Sequence, residues 1–104
     1  MSDEARFSVG QVVHHRILNY RGVVVDVDPN FQSSELWYNL MTVSKPPKDK
    51  PWYHILVDNS DFMTYVSEQN LEIDADPTPI RHPDLNVFFG ELKNGIYASK
   101  RVTN

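Results

Sequence analysis

The feature that most limits the fold of this chain is an alternation of apolar side chains within residues 20–27. Val23, Val25 and Val27 fall at every second position of that segment. A period of two places them on one face of an extended chain, whereas a helix repeats every 3.6 residues. The segment therefore predicts a β-strand with these three valines on one face. Asp28-Pro29 ends it, because proline has no N–H to donate to a neighbouring strand.

Four further segments are rich in β-branched and aromatic residues and predict short strands, at 9–17, 52–57, 62–66 and 71–73. Between the second and third strands the apolar spacing becomes helical, with Leu36 and Leu40 one turn apart. We therefore expect a short helix within 30–41, capped by a serine. A helical or 3₁₀ turn with Ser67 as its cap precedes the last strand. Five short strands with one tight turn before the last predict a mainly-β fold, closed as a small, strongly bent barrel.

Two proline-rich stretches interrupt this pattern. Residues 45–51 contain three prolines and three lysines, and they predict an exposed basic loop, because proline removes backbone donors. Residues 76–83 also contain three prolines, which exclude regular structure there. The apolar residues that follow, Phe88 and Phe89 among them, are too many for a solvated linker. We therefore expect this C-terminal extension to dock on the barrel or on another subunit.

These patterns divide the chain into four expected segments. A flexible N-terminus occupies 1–6. The barrel occupies 7–75, with the helix and the basic proline-rich loop inserted at about 30–51. The docked C-terminal extension occupies 76–98, and a mobile tail follows at 99–104.

Composition narrows the class of protein further. The 104 residues include no cysteine, so disulfides, thiolate metal cages and a cysteine nucleophile are excluded. No apolar run approaches the roughly 18 residues that would span a bilayer. The start, Met1-Ser2-Asp3-Glu4, is acidic where a signal peptide would be basic. We therefore expect a cytoplasmic protein without a membrane partner, stabilised by packing alone.

Charge is unevenly distributed along the chain. The formal net charge of -4 disfavours a general nucleic-acid coat protein, because phosphate binding needs clustered cations. Residues 5–25 contain no acid, whereas residues 58–91 contain eight acids and the single base Arg81. The folded domain is thus expected to present a basic and an acidic sector to different partners. Ordinary solvated faces remain the alternative explanation.

The chain carries no glycine-rich phosphate loop, no GxSxG elbow and no HExxH helix. His14 and His15 are adjacent on a strand and point to opposite faces, and His54 shares a face with apolar residues, which suits a structural histidine. Asp26 and Asp28 fall on one strand face like a carboxylate pair, yet Asp28 before a proline is better explained as a turn residue. We therefore expect no enzyme, no cofactor and no metal, with a histidine site as the remaining alternative.

Four motifs occur in the order and spacing of a known family: VGQVVHH at 9–15, YRGVVVDVDP at 20–29, PWYHILV at 51–57 and TYVSEQNL at 64–71. With IRHP at 80–83, they resemble the heat-shock protein Q family, the hemimethylated-DNA-binding (YccV-like) proteins. The resemblance covers about residues 7–97. It implies an SH3-like five-stranded barrel in a small bacterial cytoplasmic protein induced by heat, with no established catalytic residues.

The resemblance also implies partners. Members of the family are described as promoting the degradation of certain denatured proteins, including the replication initiator DnaA. They are also described as enhancing the substrate handling of the Lon protease and as binding hemimethylated origin DNA. The preferred hypothesis is therefore a stress-response adaptor for proteolysis, whose acidic sector and apolar tail contact a protease or a damaged protein. Aromatic residues supply the candidate protein contacts, namely Tyr20, Trp52, Phe88 and Phe89.

The alternative is a dedicated reader of hemimethylated DNA at the replication origin, without a role in proteolysis. An apolar or aromatic group would sense the adenine methyl group in the major groove. Cationic residues supply the candidate phosphate contacts, namely Arg16, Arg21, Lys45, Lys48 and Lys50. Tyr20 and Arg21 precede Gly22 at a strand start and are expected to be exposed, and Trp52 fits either a core or a contact role. Surplus aromatic residues in the tail favour a homo-oligomer, a trimer in our expectation.

Overall fold

The computed structural model describes residues 4–100, and strands account for most of its regular structure. The elements are β1 (Val12–His15), β2 (Arg21–Asp28), α1 (Glu35–Met41), β3 (Trp52–Val57), β4 (Met63–Ser67), a 3₁₀ turn (Glu68–Asn70), β5 (Leu71–Ile73), α2 (Leu85–Phe88), β6 (Phe89–Lys93) and β7 (Ile96–Ser99). This order confirms the mainly-β class and the short inserted helix. Within this part of the chain, neither helix is long and apolar enough to cross a bilayer.

The five predicted strands form one antiparallel sheet in the order β4-β3-β2-β1-β5. β1 pairs with both β2 and β5, so the chain returns after the 3₁₀ turn to the strand where it began. No ladder joins β5 to β4 among residues 4–100, so hydrogen bonds do not close the sheet. The closed SH3-like barrel therefore stays a prediction.

A β-bulge in β2 changes which valines share a face. Val24 pairs with Ile55, but the next partner of β3 is Asp26, so Val25 is an extra residue in the ladder. Beyond such a residue the alternation of side chains is shifted by one position. Val23 and Val25 therefore lie on one face, while Val27 packs on the opposite face with Val24. The prediction that Val23, Val25 and Val27 share a face is wrong at Val27 for this reason.

Both faces of the sheet are covered by apolar clusters. The first core cluster comprises Phe7, Val13, Val24, Tyr53, Ile55, Val66 and Leu71. The second comprises Val12, Val23, Val25, Leu56, Ile80, Phe89 and Tyr97. Three members of the second cluster come from the C-terminal extension, so the extension packs against the sheet. Phe89 is 1% exposed, and burial of such a ring contributes about 1.5 to 3 kcal/mol.

The C-terminal extension continues as a hairpin that the sequence prediction missed. β6 pairs with β7 across Asn94-Gly95, and both turn residues have positive φ, at 55° and 78°. Two successive positive φ angles make the type I′ turn that fits the twist of a two-stranded hairpin. Asn-Gly between apolar residues is the usual signal for this turn, so the hairpin was readable from the sequence. The proline-rich residues 76–83 lack helix and strand, in agreement with their composition.

Serines were predicted to cap two helical turns, and the structure shows a side-chain cap hydrogen bond in only one of them. Ser34 caps α1, because its Oγ accepts a hydrogen bond from the Trp37 N–H at 3.0 Å. Ser67 occupies the predicted N-cap position of the 3₁₀ turn, but its side chain makes no cap hydrogen bond. It pairs with Trp52 in the sheet, is 1% exposed, and its Oγ has no hydrogen-bond partner within the described chain.

The expected mobile ends lie partly outside the described residues, at 1–3 and 101–104. Within the described residues 4–100, the Arg6 N–H donates to Glu68 Oε2 at 2.8 Å. At the other end, the Lys100 N–H donates to the Phe88 carbonyl at 2.9 Å. Both contacts join the ends of the described chain to its folded part.

Candidate functional site

An apolar groove of 580 Å³ lies between helix α1 and strand β4, and we call it the α1–β4 groove. Its walls come from parts that are far apart in the sequence: the end of β1 with the loop that follows it, α1 with the loop that follows it, β3, and β4 with the 3₁₀ turn. The exposed apolar side chains in its lining are Ile17, Leu18, Met41, Val43 and Met63.

These side chains are unusually exposed for their size. Met63 is 51% exposed, Ile17 and Leu18 are about two-thirds exposed, and Val43 is fully exposed. Single apolar residues on a surface are ordinary, but a group of them around one concave site marks a binding surface. The groove is therefore the best candidate for a functional site on this molecule.

The lining of the groove carries no formal charge of its own. Among the described residues that form it, none is Asp, Glu, Lys or Arg, and the polar ones are His, Ser, Thr, Asn and Tyr. Burial lowers the pKa of His15, and the neighbouring His14 lowers it further, so His15 is neutral at pH 7. An uncharged apolar groove binds uncharged apolar groups, because a charged group would lose its hydration there without a partner.

Aromatic rings form a rigid part of the groove. Tyr65 lies 5.6 Å from Trp37, 5.2 Å from Trp52 and 4.6 Å from His54, measured between ring centroids. The Tyr65 hydroxyl donates to Asp28 Oδ2 at 2.7 Å. Burial raises the pKa of Tyr65, and the hydrogen bond to Asp28 raises it further. The ring is thus fixed at its polar end while its face adjoins the groove.

The loop that presents Ile17 and Leu18 is held by a histidine. His15 Nδ1 accepts hydrogen bonds from the Ile17 N–H at 3.2 Å and the Leu18 N–H at 2.9 Å. Asn19 closes the turn with a φ of 57°, a conformation that asparagine tolerates better than most residues. The backbone N–H groups are therefore satisfied internally, which leaves the two apolar side chains projecting from the turn.

The predicted protein contacts lie in two parts of the molecule. Tyr20 and Trp52 line the α1–β4 groove, whereas Phe88 and Phe89 lie with the C-terminal extension. The expectation that Tyr20 is exposed is wrong: it is half-buried, because its hydroxyl bonds to Thr64 Oγ1 at 2.8 Å. Trp52 is 1% exposed, and its indole N–H donates to the Pro47 carbonyl. Trp52 is therefore a core residue that also underlies the groove.

Arg21, one of the five predicted phosphate contacts, is occupied inside the molecule. Its guanidinium lies 2.6 Å from Asp74, 3.2 Å from Asp58 and 3.8 Å from Asp76. It also donates to the Thr78 carbonyl at 2.6 Å. The expectation that Arg21 is exposed is wrong, because only 15% of its side chain is accessible. Its charge is balanced by acids that tie residues 74–78 to β2.

The other four predicted phosphate contacts have different surroundings. Lys48 pairs with Glu35 and lies over the Tyr38 ring. Lys45 donates to the carbonyls of Asn39 and Thr42 at the end of α1. Arg16 donates to the carbonyl of Gln69, and Lys50 is exposed in the proline-rich loop. Lys45 and Arg16 each stand between two groove-lining residues in the sequence.

Asp26, Asp28 and His54 form the one cluster in residues 4–100 whose ligand atoms could approach a metal ion, all within 4.8 Å of one another. The bulge in β2 creates it by placing Asp26 opposite His54. Asp28 Oδ2 is already used, by His54 at 3.1 Å and by Tyr65 at 2.7 Å. Three side chains are one fewer than a structural zinc site employs, and equal in number to the protein ligands of a catalytic one. The hydrogen bonds from His54 and Tyr65 to Asp28 explain why these side chains lie together, and they hold the Tyr65 ring in place.

The sequence prediction missed most of the groove. It singled out Tyr20 and Trp52 but not Ile17, Leu18 or Met63. One signal was present in α1, a seven-residue helix in which the apolar pairs Leu36/Leu40 and Trp37/Met41 occupy two faces. A short helix on a small sheet can bury only one face, so the second pair indicated an exposed apolar surface.

Comparison with known protein families gives one match. A family model described as "Hemimethylated DNA-binding protein YccV like" matches residues 5–96. The matched region contains the whole five-stranded sheet, α1 and all residues that line the groove.

Proposed function

The chain belongs to the YccV-like family of hemimethylated-DNA-binding proteins, and on that premise we propose that it acts by binding other macromolecules and not by catalysis. We assign it the stress-response role that its motifs imply. It binds denatured proteins, DnaA among them, and promotes their degradation by the Lon protease in the cytoplasm. The five-stranded sheet acts in this proposal as an SH3-like scaffold that holds the binding surface.

The observation that carries this proposal is the uncharged α1–β4 groove with its exposed apolar rim. A denatured protein differs from its native form mainly in the apolar side chains that it exposes to water. Ile17, Leu18 and Val43 offer apolar area that is already exposed, so contact with such a segment removes water from both partners. A second pocket, lined by Val9, Val25, Val87, Phe88 and Phe89 among others, has a smaller volume of 240 Å³.

The test is a degradation assay with purified Lon and a denatured substrate. We expect the protein to accelerate turnover, and Leu18→Glu to reduce that acceleration about tenfold, because a carboxylate in the groove opposes apolar contact. Val87→Glu is the matched control, since Val87 is 69% exposed but lies outside the groove. Unchanged turnover in the presence of the wild-type protein would remove the hypothesis.

A second candidate function is binding of hemimethylated duplex DNA, which the description of the matching family favours. Arg16 and Lys45 are the best placed phosphate contacts, because their partners are neutral carbonyls that leave their charges uncompensated. Affinity for hemimethylated and fully methylated duplexes of one sequence should be compared. Equal affinity for the two would contradict a methylation-selective reader.

A trimer also forms part of the proposal. Phe89 packs inside its own chain, so it supplies no subunit contact. Leu36 and Leu40 on the outer face of α1 are 68% and 73% exposed, and they are the surface that would have to supply it. Light scattering should give about 36 kDa for three copies of the 12.1 kDa chain. A particle of one chain mass would contradict the trimer.

A further inference from the structure

We propose that the α1–β4 groove binds its partner as an added β-strand: an extended, apolar segment flanked by acidic residues pairs with the free edge of β4. The inference rests on the proposed function, because it names the class of segment that a denatured protein must offer. It also states which backbone groups of this chain recognise that segment.

β4 is an edge strand of the sheet. The Val57 N–H donates to the Phe62 carbonyl and the Glu68 N–H donates to the Pro51 carbonyl, both at 3.0 Å. Hydrogen bonding alternates along an antiparallel strand, so the even-numbered residues of β4 face β3. Met63 and Tyr65 consequently direct their N–H and C=O groups away from the sheet. Within residues 4–100 no backbone hydrogen bond reaches these outward groups.

The groove runs along this edge and also reaches over one face of the sheet, to Trp52 and His54 of β3. All five residues of β4, from Met63 to Ser67, contribute to its lining. Successive side chains of a strand point to opposite faces, so a cavity that touches consecutive residues must follow the backbone edge. The unpaired backbone groups of Met63 and Tyr65 therefore adjoin the apolar space between β4 and α1.

This geometry fixes the length and shape of the partner. Met63 and Tyr65 by themselves offer four backbone hydrogen bonds, which a strand of three or four residues satisfies. Alternate side chains of that strand enter the groove toward Leu18 and Met41, and the others face solvent. A volume of 580 Å³ takes a few side chains and excludes a folded domain. The partner is thus a short extended segment, as an unfolded chain supplies.

The charges beside the groove specify the flanks of that segment. Arg16 and Lys45 adjoin lining residues in the sequence, and their side chains donate hydrogen bonds to uncharged carbonyls. The nearest acid in the sequence, Glu68, already accepts hydrogen bonds from the Tyr53 hydroxyl and the Arg6 N–H. Asp28 also contacts the lining, but its Oδ2 is bonded to His54 and Tyr65. Near Arg16 and Lys45 the border of the groove is therefore positive, so carboxylates that flank an apolar core are favoured there over cations.

The first arm of the experiment tests strand pairing with synthetic peptides and the full-length protein. One peptide has an apolar core of alternating Val and Thr between Asp and Glu flanks. N-methylation at every second core residue blocks the hydrogen bonds on one side of a strand only. We expect methylation in one register to weaken binding about tenfold and methylation in the other register to change it less than threefold. Equal effects in both registers would overturn strand addition.

The second arm changes the protein. Met63→Pro removes an N–H that faces away from β3, and proline is tolerated on an edge strand. We expect it to weaken binding about tenfold, while Met63→Leu retains affinity because it keeps both the N–H and the apolar volume. The methyl resonances of Met41 and Met63 should shift on addition of peptide. A peptide that shifts neither methyl would place binding elsewhere and contradict the inference.

The third arm tests charge and separates this inference from the proposed function. A peptide with Lys and Arg flanks should bind about tenfold more weakly at low salt, and equal affinity would overturn the acidic requirement. Self-pairing of two β4 edges, seen as a dimer that the peptide does not dissociate, would also overturn it. Peptide binding without any effect on Lon leaves strand addition standing and removes the adaptor role. If Met63→Pro still stimulates Lon, the adaptor role stands and strand addition is contradicted.

Discussion

At the scale of single residues, the pKa values of two adjacent histidines are shifted in opposite directions. His14 bonds to Asn19 Oδ1 at 2.7 Å and to Glu72 Oε2 at 2.8 Å, and these contacts raise its pKa. His15 is 6% exposed, and burial lowers its pKa. His14 therefore stabilises the fold below its ordinary pKa of 6.5, and this contribution disappears as the pH rises through its folded pKa. Neutral His15 stabilises the fold above 6.5, and that contribution is lost on acidification.

A pH titration followed by NMR checks this pair. We expect the midpoint of His14 above 6.5 and that of His15 below 6.5. Glu72→Gln should lower the midpoint of His14 and leave that of His15 nearly unchanged. Protonation of His15 removes the acceptor of the Ile17 and Leu18 N–H groups, so their amide exchange should accelerate at acidic pH. Two midpoints on the same side of 6.5 would contradict the assignment.

Two glycines with positive φ allow two contributions to stability to be measured separately: the cost of the backbone conformation and the cost of a steric clash. Gly10 has φ +92°, and a Cβ there would lie 2.3 Å from the Tyr97 carbonyl oxygen. Gly95 has φ +78° with open space around it. Gly95→Ala should cost about 1 kcal/mol, the cost of the conformation alone. Gly10→Ala should cost about 3 kcal/mol or more, because β7 must also shift. Urea unfolding measures both, and equal losses would contradict the steric contribution.

At the scale of elements, Arg21 fastens the segment after β5 to the start of β2. Its side chain and those of Asp58 and Asp74 are 15%, 13% and 11% exposed. Arg21→Gln leaves these carboxylates close together without a cation, so unfolding free energy should fall by about 3 kcal/mol. The loss should shrink at acidic pH, where the carboxylates are protonated. Arg81→Gln, at an exposed position, is the control and should change stability by less than about 0.5 kcal/mol.

Elements governed by neighbouring residues were predictable from the sequence, and those governed by distant pairing were not. The cap of α1 depends on Ser34 and Trp37 alone, so local chemistry located it. The bulge at Val25 arises from the pairing of β2 with β3. No residue pattern within 20–29 predicts that shift in register. The hairpin of β6 and β7 is an intermediate case, because Asn94-Gly95 was a readable local signal that the prolines before it obscured.

The candidate site was less predictable than the fold, for a related reason. Ile17, Met41 and Met63 come from three elements, and each looks like an ordinary apolar residue in its own segment. Only the folded chain shows that they face one another. Arg21 illustrates the opposite error: its position in an acid-free stretch indicated a phosphate contact, but the fold brings acids from residues 58–76 around it.

At the scale of the whole molecule, the distribution of uncompensated cations predicts how any DNA binding responds to salt. Five phosphate contacts would give a slope of about -4 to -5 in log K against log salt. Arg21 and Lys48 have carboxylate partners, which reduces their attraction for phosphate. If Arg16 and Lys45 carry the contact, the slope should be about -2. Titrations of one hemimethylated duplex at several salt concentrations measure it, and a flat response would contradict phosphate binding.

The second core cluster can be completed only after the C-terminal extension has been synthesised. Val12, Val23, Val25 and Leu56 are synthesised first, but Ile80, Phe89 and Tyr97, which cover them, are synthesised last. At roughly 5 to 20 residues per second, the nascent sheet waits on the order of seconds for its cover. During that interval the apolar side chains on that face of the nascent sheet stay exposed to water.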